Sequence, residues 1–326
     1  MSPKSPCFVG IDTSNYTTSA ALADMEGNII ANIRKLLPVE DGARGLRQSD
    51  AVFAHVKNLP DIIDSLGEVL GGSRIMAVGC SFTPRDAKGS YMPCFLVGKN
   101  AAYAFAAASG APLYGFSHQN GHIMAALYSA GAIHLLSEKA FAAFHVSGGT
   151  TEILLVKPSA SSIDVELIGG TADLNGGQAI DRLGVAMGIH FPCGREMESY
   201  ALKNTERVPK LKISVKGLEC NISGLESQAV KLYSDTLNRE LTCAAIFDSV
   251  GRTLYRLTEN LTEEYGDIPV VYAGGVMSNS IIKNMLATRK NTFFAMPEFS
   301  SDNAAGTALL CRKKYLSENG VSNGSL

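Results

Sequence analysis

Tryptophan is absent from this chain, aromatic residues make up only 7% of it, and charged residues only 18%. Neither sign of charge dominates: the formal net charge is −2 and the pI about 6.3. That excludes a global basic field able to capture nucleic acid, so an RNA partner would need a local patch or a carrier subunit. No apolar run reaches the roughly 20 residues of a membrane-spanning helix, so no membrane association is expected. The seven cysteines (7, 80, 94, 193, 220, 243 and 311) are odd in number, scattered and form no CxxC pair. They read as reduced thiols in a cytoplasmic setting, neither a disulfide framework nor a zinc knuckle. Met1-Ser-Pro-Lys-Ser-Pro6 leads straight into a strand pattern, with no leader peptide expected.

What is present is a soluble-protein composition, 46% hydrophobic over 326 residues, enough for two domains. Two stretches are near-repeats: Phe8-Val-Gly-Ile-Asp-Thr-Ser-Asn-Tyr-Thr-Thr-Ser-Ala-Ala-Leu22 and Phe144-His-Val-Ser-Gly-Gly-Thr-Thr-Glu-Ile-Leu-Leu-Val156. Each is an apolar run, a turn of small hydroxyl or glycine residues, and a second apolar run opened by paired threonines. A strand–turn–strand whose turn offers backbone N–H groups and hydroxyls suits phosphate oxygens. Two copies point to a duplicated fold with a nucleotide between the halves.

Strands are expected at Cys7–Asp12, Thr18–Asp24 and Ile29–Lys35, the last two joined by the turn Met25-Glu-Gly-Asn28. A helix over Asp50–Leu70 follows, kinked or restarted at Pro60. Then come a strand (Arg74–Phe82), an alanine-rich helix (Val97–Ser109) and a strand (Pro112–Phe116). The second half repeats the meander at Phe141–Val146, Thr151–Lys157 and Val165–Gly169. It continues with helices at Gly177–Met187, Leu237–Glu264 (one or a pair) and Ser280–Ala287, strands at Pro269–Ala273 and Thr292–Met296, and a closing helix at Asn303–Tyr315. The pattern predicts an α/β fold of two lobes with mixed sheets around a cleft. One lobe comprises residues 1–116 plus 300–326, the other 117–299, with an insertion near 192–227.

His118-Gln-Asn-Gly-His122 follows the fifth strand. On a helix, residues four apart share a face, so both imidazoles can reach one ion; the competing reading is a pair of coincidental cap and surface histidines. Gln119 stands where a zinc-peptidase helix carries its general-base Glu, which argues against proteolysis. Asp302 is the best third ligand, and also a good N-cap for the helix that follows. Ser147-Gly148-Gly149-Thr150 permits positive φ and close approach of a ligand, or is an ordinary hairpin turn. In Ala273-Gly274-Gly275-Val276-Met277-Ser278-Asn279 the glycines can take a flat ring and Asn279 a ribose or phosphate, unless the segment is only a strand–helix turn. Asp173 and Asp181 flank Gly177-Gln-Ala-Ile-Asp-Arg182 and as a pair read as surface charges.

In order, these pieces resemble the TsaD family of tRNA threonylcarbamoyladenosine synthases, once described as O-sialoglycoprotein endopeptidases. The resemblance runs from Gly10 to about Lys313. It rests on Gly10-Ile-Asp-Thr-Ser14, His118…His122, His145-Val-Ser-Gly-Gly149, Thr171-Ala-Asp-Leu-Asn-Gly-Gly-Gln-Ala-Ile-Asp181, Phe191-Pro-Cys-Gly194, Ile222-Ser-Gly-Leu225, Ala273 to Asn279, and Ser301-Asp-Asn-Ala304. It implies the actin-like, sugar-kinase-like ATPase fold, and one divalent metal (iron or zinc) on His118, His122 and Asp302. It implies nucleotide contacts from His145, Val146, Ser147, Gly148, Gly149, Asp181, Gly194 and Asn279, to which the reading above adds Gly274 and Gly275. The implied donor is threonylcarbamoyl-adenylate, the acceptor the adenine N6 of tRNA reached through partner subunits, and the oligomer a dimer with a homologous subunit or a second copy.

The chain also departs from the family pattern. The usual Glu-Thr-Ser-Cys-Asp-Glu-Thr is Asp12-Thr-Ser-Asn-Tyr-Thr-Thr18, which replaces two acidic residues with Tyr16 and Thr17. The His after Ser-Gly-Gly is Thr150, Gly-Glu-Ala-Phe-Asp-Lys is Gly177 to Arg182, the Lys after Ser-Gly-Leu is Glu226, and a Gly-Pro-Gly stretch is Thr83 to Gly89. The resemblance favours a threonylcarbamoyltransferase, with no catalytic base identified. The departures keep open a non-catalytic paralogue, or a carbamoyl or acyl transferase acting on a small molecule.

Overall fold

The computed structural model describes residues 5–14, 16–38 and 46–320; Asn15 of the opening turn and the end of the tail lie outside them. By contact the chain divides into two compact units. The first is Met1–Ser137, Pro158–Val165 and Glu298–Leu326, the second Glu138–Lys157 and Glu166–Pro297. Residues 117–137 thus group with the first unit. No helix among the described residues is long and apolar enough to cross a membrane.

The first unit holds β1 (Pro6–Asp12), β2 (Thr17–Asp24), β3 (Ile29–Leu36), α1 (Gln48–Leu70), β4 (Arg74–Thr83), α2 (Phe95–Ser109), β5 (Leu113–Ser117) and α3 (His118–Ser129). Its sheet has the order β3-β2-β1-β4-β5. The β1–β2 and β2–β3 pairs are antiparallel, β1–β4 and β4–β5 parallel. β1 is the middle strand and must be apolar on both faces; Cys7, Phe8, Val9 and Ile11 are all buried.

The helix does not restart at Pro60: α1 runs on for 23 residues with the proline inside it. Pro60 sits on the exposed face beside Val56, so the carbonyl that loses its donor can turn to water. A proline in a helix interior costs about 3 kcal/mol relative to alanine. Pro60→Ala is therefore expected to raise the denaturant midpoint by the equivalent of about 1–3 kcal/mol; an unchanged midpoint would contradict this account of α1.

The second unit repeats the plan with β6 (Phe141–Val146), β7 (Thr151–Pro158), β8 (Ile163–Thr171), α4 (Gly176–Ala186), α5 (Gly194–Ala201), β9 (Ser214–Lys216), β10 (Glu219–Asn221), α6 (Ser223–Thr236), α7 (Arg239–Tyr265), β11 (Val270–Ala273), α8 (Ser280–Leu286) and β12 (Thr292–Phe294). Its sheet runs β12-β11-β6-β7-β8-β10-β9. Read from β8 to β12, the order β8-β7-β6-β11-β12 matches β3-β2-β1-β4-β5, the duplication that the paired strand–turn–strand segments predict. The core centres on Phe144, Phe247 and Tyr272, whose hydroxyl meets Thr258 Oγ1 at 2.7 Å.

Two short helices close the chain: α9 (Pro297–Ser300) and α10 (Ala305–Glu318), the latter packed on β1, β4 and α3. The stretch 192–227, without clean periodicity, proves to be α5, the hairpin β9–β10 added to the edge at β8, and the start of α6. The long helical pattern over Leu237–Glu264 is one helix, α7: α6 ends before it, with Leu237 at φ +52°, and Asn238 caps α7 by accepting from Leu241 N at 3.0 Å.

Asp173 proves to be more than a surface charge. Its carboxylate accepts from Leu174 N (2.5 Å), Ile222 N (2.8 Å) and Ser223 Oγ (2.5 Å) at the start of α6. Burial works to raise its pKa, but these bonds outweigh it and hold the carboxyl well below the usual range. A depressed carboxyl stabilises the fold above its unfolded value near pH 3.9, and that contribution is lost as pH falls below it. The stability gap between wild type and Asp173→Asn should therefore be widest near neutral pH and narrow below about pH 4. Unfolding curves at several pH values check this; a gap independent of pH would contradict it.

Candidate metal centre

Ser117 at the end of β5 accepts from Asn120 N at 3.2 Å and so caps α3 with His118 as its first residue. His118 and His122 then lie one turn apart on one face, with ring centroids 4.3 Å apart. Both Nε2 atoms face Asp302 Oδ1, at 3.4 Å from His118 and 3.2 Å from His122. One ligand atom from each of the three lies within 4.8 Å of the others.

Asp302 is free for this because it is not the cap expected of it. The N-cap of α10 is Ala304, and the side chain before it, Asn303, serves the first helical N–H: its Oδ1 accepts from Ala305 N at 3.0 Å while its Nδ2 donates to Ser301 O at 2.7 Å. The carboxylate one residue earlier is left to turn toward the histidines.

The sequence reading did not place Asp12 in the site, yet it forms the second layer. Its Oδ2 meets His118 Nδ1 at 2.8 Å, and the carboxylate also accepts from Ser14 N at 2.8 Å, Ser14 Oγ and Ser81 Oγ. Asp12 is fully buried and His118 nearly so. Burial opposes a charge on His118, but the Asp12 carboxylate and then Asp302 outweigh it and raise its pKa to about 10. Burial likewise opposes the charges on Asp12 and Asp302; for Asp12 the attraction and bond of His118, and for Asp302 the bonds from both histidines, lower the pKa all the same. Protonated His118 is thus the counter-charge between two carboxylates, a place a cation can take.

The donor set fits a borderline transition metal. Two imidazoles and one carboxylate suit zinc or iron, whereas calcium and magnesium prefer oxygen alone. A carboxylate behind a ligating imidazole fixes its tautomer and leaves Nε2 for the ion, the geometry of Asp12 and His118. Fully buried His55 is another residue the sequence did not signal, since it sits among the apolar positions of α1. Its Nδ1 meets Thr18 Oγ1 at 2.8 Å, its Nε2 has no partner among the described residues, and burial lowers its pKa to about 4.

In the second unit, three of the singled-out segments meet. Gly274 has φ +102°, and a Cβ there would stand 2.2 Å from Val146 O, so only glycine allows this approach. The start of α4 reaches the turn through Gly177 N to Ser147 O at 3.1 Å and Gly176 N to Thr151 Oγ1 at 2.9 Å. Gly148 and Gly149 do not use the positive φ that glycine permits. A Cβ on Gly148, Gly149, Gly275 or Gly194 would meet nothing within 4 Å, so these positions border open space. Asn279 caps α8, accepting from Ile281 N and Ile282 N at 3.1 Å, and its Nδ2 is buried without a partner among the described residues. An orphaned buried donor suits a ribose hydroxyl or phosphate oxygen. Asp181 accepts from Cys193 N at 2.9 Å beside Gly194, and burial raises its pKa. His145 is half-buried at the end of β6.

Several departures have local structural roles. Gln178 completes a capping box with Asn175, and Arg182 pairs with Glu226 at 3.7 Å. Thr17 is buried, where an unpaired carboxylate would be costly.

The family model for TsaD, tRNA N6-adenosine threonylcarbamoyltransferase, matches residues 41–309. A tRNA N6-adenosine threonylcarbamoyltransferase of Streptococcus pneumoniae serotype 2 is 29% identical, over 96% of this chain and 93% of that one. One from Streptococcus pyogenes is 30% identical over 94% and 90%. Among solved structures, component A of the (R)-2-hydroxyglutaryl-CoA dehydratase of Acidaminococcus fermentans superposes with TM-score 0.56 at 15% identity, over 95% of this chain and 99% of that one. A ROK family glucokinase from Streptomyces griseus, in complex with glucose and AMPPNP, superposes with TM-score 0.52 at 12% identity, over 94% and 99%. These likenesses show the duplicated actin-like, sugar-kinase-like ATPase fold.

Proposed function

The chain belongs to the TsaD family of tRNA N6-adenosine threonylcarbamoyltransferases, and on that premise we propose that it transfers a threonylcarbamoyl group from threonylcarbamoyl-adenylate to N6 of adenosine in tRNA. The observation that carries the reading is the convergence of His118, His122 and Asp302, with Asp12 fixing His118 from behind. In the reaction the N6–carbonyl bond forms, the carbonyl–phosphate bond breaks, adenylate leaves and N6 loses a proton. His118, His122 and Asp302 would hold one divalent ion, iron or zinc, and such an ion would supply Lewis-acid polarisation of a carbonyl or phosphoryl oxygen. Asp12 keeps His118 in the tautomer that presents Nε2. In the second unit, the open glycines 148, 149, 194 and 275 let the nucleotide part of the donor approach the backbone, and Asn279 Nδ2 donates to its ribose or phosphate. His145 and Asp181 border that surface.

The turn 12–18 carries no second carboxylate to take the proton of N6, and the base is assigned to no side chain. With a net charge of −2, tRNA is brought by partner subunits, one of them a homologous chain of this fold or a second copy, in the cytoplasm.

Two measurements test the two subsites separately. Asp12→Asn should keep the shape behind His118 but lower metal affinity about 10- to 100-fold, read by competition with a fluorescent chelator; unchanged affinity would remove Asp12 from the site. Asn279→Ala should weaken binding of a non-hydrolysable adenine nucleotide about tenfold, the value of one hydrogen bond made by a buried donor. Calorimetry showing equal affinity would exclude Asn279 from nucleotide contact.

A further inference from the structure

In the first unit, α3 and α10 wall a cavity of about 280 Å³ whose mouth is bordered by the β2–β3 turn. Its apolar lining comes from Met124 and Tyr128 on α3, Ile133 after it, and Leu309 on α10. Two cations line it as well: Arg312 and Lys313, each 5% exposed. Arg312 spends its Nε–H on Met25 O at 2.7 Å; its remaining N–H groups have no hydrogen-bond partner among the described residues, while the charges of Asp24 and Glu26 partly offset its own. Lys313 has neither a hydrogen bond nor an ion pair there, and burial alone draws its pKa down. Neither Lys313 Nζ nor an Arg312 Nη atom is sealed from solvent, so both charged heads face the open space between α3 and α10 while their stems are buried, a place where a ligand of opposite charge would pair with them.

We propose that this cavity is a binding site for a small organic carboxylate with a short apolar tail. The guanidinium and the ammonium would take the carboxylate oxygens, the fork of Arg312 setting their plane. Met124, Ile133 and Leu309 would cover the tail. The volume lies just below the range of drug-sized pockets, which limits the ligand to a small metabolite. Exposed Glu26 at the mouth removes part of the positive charge, which favours a monoanion over a phosphate dianion and disfavours nothing apolar.

The test uses the full chain, stripped of metal by chelation so that no carboxylate binds the metal centre. It is titrated by calorimetry with 4-methylpentanoate, its neutral amide and inorganic phosphate. The carboxylate should bind one equivalent, with the amide and phosphate each about tenfold weaker or more. Lys313→Met and Arg312→Met should each weaken the carboxylate about tenfold or more. Lys313→Met without ligand should also melt above wild type, since an uncompensated charge is gone. Absence of saturable carboxylate binding, affinity unchanged in Lys313→Met, or a preference for phosphate would each overturn the site. A Lys313→Met protein that melts below wild type would make Lys313 a structural residue and overturn it equally.

Discussion

Gly306→Ala is expected to destabilise the protein by about 3 kcal/mol or more, the upper end of overpacking costs, and to scatter the metal ligands with it. A Cβ at Gly306 would lie 1.8 Å from Gly121 O and 2.8 Å from Ala125 N. Both are backbone atoms of α3, so no side-chain rotation relieves the clash and the two helices must separate. These helices position the three proposed ligands: His118 and His122 stand in the first turns of α3, and Asp302 lies three residues before the start of α10. The sign makes the prediction sharp. Alanine is about 1 kcal/mol better than glycine in an open helix, so without this contact the substitution would stabilise. Denaturant unfolding decides between them, and a rise in the midpoint would refute the α3–α10 packing described above.

His122→Ala and His118→Ala should both abolish metal retention, yet differ in stability. Loss of one of three protein ligands should lower affinity by more than the roughly 10- to 100-fold expected of an outer partner. His122 bonds Asp302, a partly exposed carboxylate that water can reach in the variant. His118 also neutralises fully buried Asp12, and removing one partner of a buried pair costs about 3–5 kcal/mol. Metal analysis after gel filtration should find neither variant loaded, while unfolding curves find only His118→Ala strongly weakened. Equal stabilities would contradict the role given to Asp12.

The duplicated plan of strands was legible because β1 with β2 and β6 with β7 are near-continuous apolar runs around small-residue turns, a local signal. The histidine pair was legible because the spacing of four is a property of the helix alone. Asp302 was harder: its sequence context suits an N-cap, and only the fold shows that the Asn303 side chain serves the first helical N–H. Asp12 and His118 are 106 residues apart, and nothing local in either pattern announces their bond. The same holds for His55, whose position in α1 reads as one more inward-facing residue. The segment 192–227 was opaque because β9 and β10 have three residues each, too few for periodicity, and exist as strands only by pairing with β8. Pro60 left a restart open because the rule for proline in helices is local, while its tolerance depends on which face meets water.

The departures at Tyr16 and Thr17 leave one measurement that reaches the account's main claim most directly. The metal-loaded chain is incubated with tRNA, threonine, bicarbonate, ATP, the adenylate-forming enzyme and its partner subunits, and the digested nucleosides are analysed by mass spectrometry. The account predicts adenosine carrying a threonylcarbamoyl group on N6, lost when Asp302→Ala replaces the wild type. Metal and adenine nucleotide bound in full, with no modified adenosine in the presence of every partner, would contradict it.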